Sequence, residues 1–151
     1  MSRYKRPVSV LVVIHRPDLQ VLLLERAAHP GYWQSVTGSQ EAGEELLTTA
    51  LREVAEETGI VAVAADLRDW QLRNRYEIFA EWRHRYAPWV RYNTEHVFSL
   101  QVAAPDAVRL AAGEHRAYCW LPWREAAERC FSWSNRDAIL MLPERLAGQK
   151  P

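Results

Sequence analysis

The sequence predicts an α/β (α+β) sandwich, a mixed β-sheet packed between helices, from three observations. Two apolar runs lie close together near the start, a stretch of three- and four-residue apolar spacing follows, and later strand-like segments give way to two helical ones without regular βαβ alternation. The first runs, "VSVLVVI" (8–14) and "QVLLLER" (20–26), read as strands joined by a turn at "HRPDL". "HPGYWQSVTG" carries Pro30, Gly31 and Gly38 and reads as loop with a short extended piece. Leu47, Ala50, Leu51, Val54, Ala55 and Thr58 share one helical face, and Gly59 stands where a C-cap belongs. "VAVAADL" is expected as a strand, and "RNRYEIFAEWRHRY" and "TEHVFSLQV" as sheet from their partial alternation. "YCWLP" predicts a short strand ended by Pro122. "WREAAERC" and "SNRDAILML" predict helices, the second N-capped by Ser134 or Asn135 with Pro143 near its end.

A chain of 151 residues, 48% hydrophobic, can bury the core of one compact domain, and no linker, repeat or low-complexity tract divides 1–151. Basic and acidic residues balance at 19 each, so no global field points to nucleic acid or to an anionic membrane. The apolar run Val10 to Ile14 is far too short to span a bilayer. "MSRYKRP" leads into no signal-peptide core. Two cysteines, Cys119 and Cys130, are not needed as a staple in a chain with a normal core. The expectation is a reduced, cytoplasmic protein.

Against this neutral background, "GSQEAGEELLTTALREVAEETGI" (38–60) holds six glutamates. On the expected helix Glu53 and Glu57 are neighbours one turn apart, with Glu56 beside them, and such like-charge pairs cost an isolated helix about 0.2–0.5 kcal/mol each. A solvated acidic face is one reading. The other is a site for hard divalent cations, whose preference for oxygen ligands suits clustered carboxylates.

The wider spacing separates the two. Gly38, Glu44 and the run Arg52-Glu53-Val54-Ala55-Glu56-Glu57-Thr58-Gly59-Ile60 resemble the Nudix box, G-x5-E-x7-R-E-U-x-E-E-x-G-U with U a bulky aliphatic residue, at every defined position. The resemblance implies a Nudix-type α/β/α sandwich with a loop–helix–loop motif. It also implies Mg²⁺-dependent hydrolysis, with Mn²⁺ second, of a diphosphate linked to another group. Glu53, Glu56 and Glu57 would then be metal ligands and catalytic groups, the Gly38 carbonyl a further ligand, and Glu44 with Arg52 an ion pair tying loop to helix. "GEHRAYCWLP" (113–122) resembles the family's late strand approach and carries a fourth acid role to Glu114, with His115 structural.

Substrate choice lies outside the box. "YKRPVSVLVVI", "GYWQSVTGS", "RHRYAP", "NTEHVF" and "FSWSNRDAI" together resemble the bacterial branch of the family that acts on 7,8-dihydroneopterin triphosphate in folate biosynthesis. That likeness runs from about Tyr4 to about Ile139 and implies release of pyrophosphate by water attack at the α–β linkage. Trp89 stands where a smaller residue is expected. A flat heterocycle needs an aromatic face and a few polar partners, for which Trp33, Gln34, Trp133, Ser134 and Asn135 are the candidates. Lys5, Arg6, Arg26 and the His84–Tyr86 side of an alternating "RHRY" strand are the candidates for the triphosphate. The expected partner is a small-molecule triphosphate, with no nucleic acid or membrane partner, on a monomer or weak homodimer. Two other readings are a pyrophosphatase of nucleoside triphosphates such as dGTP or 8-oxo-dGTP, and a non-catalytic binding module. The intact box carboxylates count against the module.

Overall fold

The computed structural model describes residues 4–103 and 108–147. Seven strands make one mixed sheet: β1 (Val8–His15), β2 (Gln20–Arg26), β3 (Trp33–Gln34), β4 (Val36–Ser39), β5 (Leu67–Glu77), β6 (Tyr92–Gln101) and β7 (His115–Pro122). The order along the main path is β3-β2-β1-β6-β5, with β4 on β1 and β7 on β2. Among the described strands β1 and β6 pair in parallel and the other pairs are antiparallel. Helix α1 (Leu46–Thr58) covers one face, and α2 (Trp123–Arg129) and α3 (Trp133–Ala147) cover the other.

Coverage on both sides explains why the first two strands read as unbroken apolar runs rather than alternating ones. Val10, Val12 and Ile14 face α1 with Leu22, Leu24, Ala50, Val54 and Phe98. Leu11 and Val13 face α2 and α3 with Val21, Leu23, Ala127, Ile139 and Leu142. No helix among the described residues is long and apolar enough to cross a membrane. Cys119 and Cys130 are free thiols.

The structure departs from four sequence expectations. "VAVAADL" forms no strand: a 3₁₀ turn occupies Ala64–Asp66, the Asp66 carboxylate accepts from Val63 N–H, and Val61 and Val63 are exposed. The strand expected across "RNRYEIFAEWRHRY" ends at Glu77, and Ala80–Arg85 tightens into 3₁₀ turns. Phe79 and Trp82 then stack face to face, with Phe131 against the edges of both, a packing that an extended chain would not allow. Helix α3 starts at Trp133, so Ser134 and Asn135 lie inside its first turn; the Ser132 hydroxyl accepts from Asn135 N–H. On α1, Ala55 is exposed rather than core-facing.

Candidate active site

Helix α1 ends as its sequence requires. Gly59 takes φ +76°, a left-handed conformation that costs glycine little, and its N–H caps the Ala55 carbonyl. The buried stripe runs Ala50, Val54, Glu57, Thr58, so a carboxylate occupies core spacing. Opposite it, β4 presents Gly38, which pairs with Val10. A Cβ on Gly38 would fall inside the Glu53 carboxylate, so only glycine lets strand and helix approach this closely.

Glu53 and Glu57 share a hydrogen bond, and Thr37 N–H also donates to Glu57. Glu57 is 3% exposed, and its Oε1 finds no hydrogen-bond partner among the described residues. Burial pushes both carboxyls upward, Glu57 further because Glu53 and Glu114 add like charge. Glu56 is exposed at the edge of the pair.

Arg52 organises the loop before the helix. Its Nε and Nη2 donate to the two Glu44 oxygens at 2.7 and 2.9 Å, Nη2 also to the Ser39 carbonyl at 3.0 Å, and Nη1 to Glu53 at 2.7 Å. Glu44 also accepts from the Thr49 hydroxyl and from Glu41 N–H. The Arg52 guanidinium chiefly, with the Thr49 hydroxyl and Glu41 N–H, holds its pKa down to about 2 against the effect of burial.

Positive charge lies across the acidic pair. Lys5 feels Arg85 and Arg26 as like charges and Glu53 and Glu114 as opposite ones, and burial with Arg85 lowers its pKa. Lys5 N–H donates to the Arg85 carbonyl, which ties the chain start to the 3₁₀ segment. Arg26 lies over the Trp82 ring at 4.6 Å and donates to Gln34 Oε1 at 3.3 Å, while its Nε has no partner among the described residues. Glu114 is exposed on the loop before β7, within electrostatic reach of Glu57, Lys5 and Arg26. His115 is buried with Nε2 4.0 Å from Glu57, and burial followed by Arg26 lowers its pKa to about 4, so it is a neutral neighbour.

The other face of the same sheet region is also polar. Asn135 accepts from Ser35 N–H at 2.7 Å and donates to the Ser35 hydroxyl at 3.0 Å. Ser134 is buried and hydrogen-bonded to Glu95 of β6. Half-exposed Trp133 meets the Tyr76 ring edge-on at 6.5 Å.

The proposed substrate contacts therefore divide. Trp33 and Gln34, adjacent on β3, face opposite sides: Trp33 packs with the α2/α3 core, and Gln34 lies between Arg26 and His115. One flat ring cannot lie against both. Because "RHRY" is not extended, the expected division of Arg83 and Arg85 from His84 and Tyr86 fails. His84 is exposed, Tyr86 is half-buried with its hydroxyl bonded to Ser39, and Arg85 is the member coupled to Lys5 and Arg26. Exposed Arg6 reaches Gln40 at 3.4 Å. Arg85, Tyr76, Asn93 and Glu95 are not among the contacts expected from the sequence; the one signal for the last two is that alternation in "NTEHVF" puts both on the same face.

Among the described residues no three acidic, histidine or cysteine side chains stand together as a finished metal cage. The set is two adjacent carboxylates with one orphaned oxygen, within electrostatic reach of Glu56 and Glu114.

The NUDIX domain family model matches residues 5–142. The chain belongs to the Nudix family. Among curated relatives, this Nudix chain is 50% identical over 139 residues to the dihydroneopterin triphosphate diphosphatase of Escherichia coli (strain K12), covering 90% of this chain and 91% of the relative. It is 38% identical over 142 residues to the enzyme of the same name from Haemophilus influenzae, covering 92% and 89%. Among solved structures, that of the E. coli dihydroneopterin triphosphate pyrophosphohydrolase superposes with a TM-score of 0.85 at 48% identity, over 91% of this chain and 95% of that one.

Proposed function

We propose that this Nudix chain hydrolyses 7,8-dihydroneopterin triphosphate to dihydroneopterin monophosphate and pyrophosphate, a step of folate biosynthesis, with Mg²⁺ as its ion and Mn²⁺ as a substitute. The observation that carries the chemistry is the Glu53–Glu57 pair, buried under Gly38 with Glu57 Oε1 unpartnered. A buried carboxylate oxygen left without a donor is costly unless a cation completes it. The substrate rests on likeness to the two curated relatives and the solved structure across nine-tenths of the chain.

Nudix hydrolases generally need a divalent metal, and the residues present fit one: oxygen donors only, an orphaned carboxylate oxygen, and a glycine whose missing side chain lets the Glu53 carboxylate lie against β4. Glu53, Glu56, Glu57, Glu114 and the Gly38 carbonyl would hold it. When bound, the ion supplies Lewis acidity at the phosphoryl oxygens and lowers the pKa of water. Arg52 fixes Glu53 and, through Glu44, the loop. Arg26, Lys5 and Arg85 face the negative charge of a triphosphate, and the rigid stack under Arg26 keeps its guanidinium in place. A carboxylate of the set accepts the proton of the attacking water.

The test is product analysis with dihydroneopterin triphosphate and Mg²⁺. Expected are equal amounts of pyrophosphate and dihydroneopterin monophosphate, with both lost on chelation and in Glu57→Gln. Stepwise release of inorganic phosphate would refute the reading.

A further inference from the structure

Strand β6 starts with two buried polar residues on its α3-facing side, Asn93 and Glu95, where Val97 and the core follow. Their local donors are already committed. Asn93 Nδ2 donates to the Ser9 hydroxyl at 2.8 Å and to the Tyr76 hydroxyl at 3.0 Å. Tyr76 reaches Glu95 Oε2 only at 3.5 Å, and Ser134 supplies the other hydrogen bond to the carboxylate. Two acceptors remain without a partner among the described residues: Glu95 Oε1 and Asn93 Oδ1, on residues 4% and 2% exposed. Buried acceptors are normally satisfied, and two orphans of the same kind on one face imply a missing donor. The rim of this cluster is half-exposed Trp133, edge-on to Tyr76, an aromatic surface open to solvent.

Position links the cluster to the hydrolytic site. In the sheet Ser9 pairs with Glu95 on one side and with Ser39 on the other, and Ser39 follows Gly38, which lies against Glu53. Glu95 is thus two strand spacings, about 10 Å, from Ser39, the residue that follows the glycine abutting Glu53. Tyr86 bonds Ser39 and lies near Tyr76, at the edge between the two.

We propose that Glu95 is a specificity-determining residue that reads the heterocycle of the substrate, its free oxygen accepting from the ring N–H and exocyclic amino group of a 2-amino-4-oxopyrimidine edge, with Asn93 Oδ1 as a second acceptor. Pterins and guanine carry that edge; adenine and cytosine do not. The assignment rests on the proposed function for where the triphosphate lies. Burial raises the Glu95 carboxyl to about 7, while Ser134 and Tyr76 lower it, the balance of an acid short of donors. A ring N–H arriving here would complete the shell, and a base lacking the donor would leave the carboxylate unpaired, which is a strong form of rejection.

The experiment compares kcat/KM of the wild-type chain and Glu95→Gln on dihydroneopterin triphosphate, dGTP, dATP and dCTP, with melting curves of both proteins. Expected is a tenfold or larger loss on the first two, mostly in KM, and less than a twofold change on the last two. A parallel loss on all four, or no loss on any, overturns the proposal. The wild-type ranking of the four substrates tests the proposed function separately, because the inference is read only from how the variant alters the ratios. Binding of unphosphorylated dihydroneopterin to the wild-type chain needs neither turnover nor a variant. A pteridine with oxygen in place of the 2-amino group should bind at least tenfold more weakly, and equal binding, or no binding of either, overturns the assignment.

Discussion

At the residue scale, Glu57 concentrates the conflict between folding and chemistry. It sits at core spacing, buried against a second carboxylate, with one oxygen unpartnered. Glu57→Gln should reduce turnover about 10³-fold, the scale of losing a charge-stabilising or proton-transfer group. The metal-free variant should melt higher than the metal-free wild type, because it buries an amide able to donate to Glu53 instead of a second acid. Calorimetry in chelator checks this, and an unchanged or lower melting temperature would contradict it. Glu44 behaves oppositely. Arg52 holds its folded pKa down to about 2, below the unfolded value near 4.5, so its stabilisation is present above pH 4.5 and lost as pH falls toward 2. Glu44→Gln should cost about 2–3 kcal/mol at pH 7, less than the 3–5 of a fully buried pair, and the gap should narrow in urea titrations below pH 4.5. The box residues were legible because their types and spacing are jointly constrained by one helix and one loop. Glu95 and Asn93 were not, because strand alternation shows that two residues share a face without showing which face, or what lies above it.

At the element scale, the reading succeeded where local pattern and tertiary demand agree. Strands β1 and β2 and helix α1 with its Gly59 cap appear nearly as expected. It failed from Ala80 to Arg85, where aromatic packing overrode a continuing strand. Trp82 is the centre of that packing, touching His29, Tyr32, Phe79 and Phe131 and lying beneath Arg26. Trp82→Ala should cost about 2–3 kcal/mol, below the range for fully buried aromatic truncations because the ring is half-exposed. It should also raise KM more than it lowers kcat, since Arg26 loses its platform while α1 stays intact. Urea unfolding and steady-state kinetics give the two numbers; a fall in kcat at constant KM would contradict the link to Arg26. The α3 cap failed for a subtler reason. Ser132, Ser134 and Asn135 are all cap-forming residues, and only the packing of the last two against Glu95 and Ser35 leaves the role to Ser132.

At the scale of the whole molecule, one sheet separates two kinds of polar site. The α1 face carries carboxylates opposed by Lys5, Arg26 and Arg85, suited to a cation and a polyphosphate. The α3 face carries Trp133, Tyr76, Glu95 and Asn135, suited to a flat ring. Ligand that binds only the folded state adds stability by mass action, about 2.7 kcal/mol at a hundred times its Kd. Mg²⁺ at that level should therefore raise the melting temperature by several degrees, and Glu57→Gln should abolish the rise. Together the two faces fit a pterin-triphosphate pyrophosphatase better than a general nucleotide-cleaning one. The most direct measurement is kcat/KM with Mg²⁺ for dihydroneopterin triphosphate, dGTP and 8-oxo-dGTP under one set of conditions. The pterin should lead by at least tenfold, about 1.4 kcal/mol of transition-state discrimination. A nucleotide leading by the same margin would contradict it.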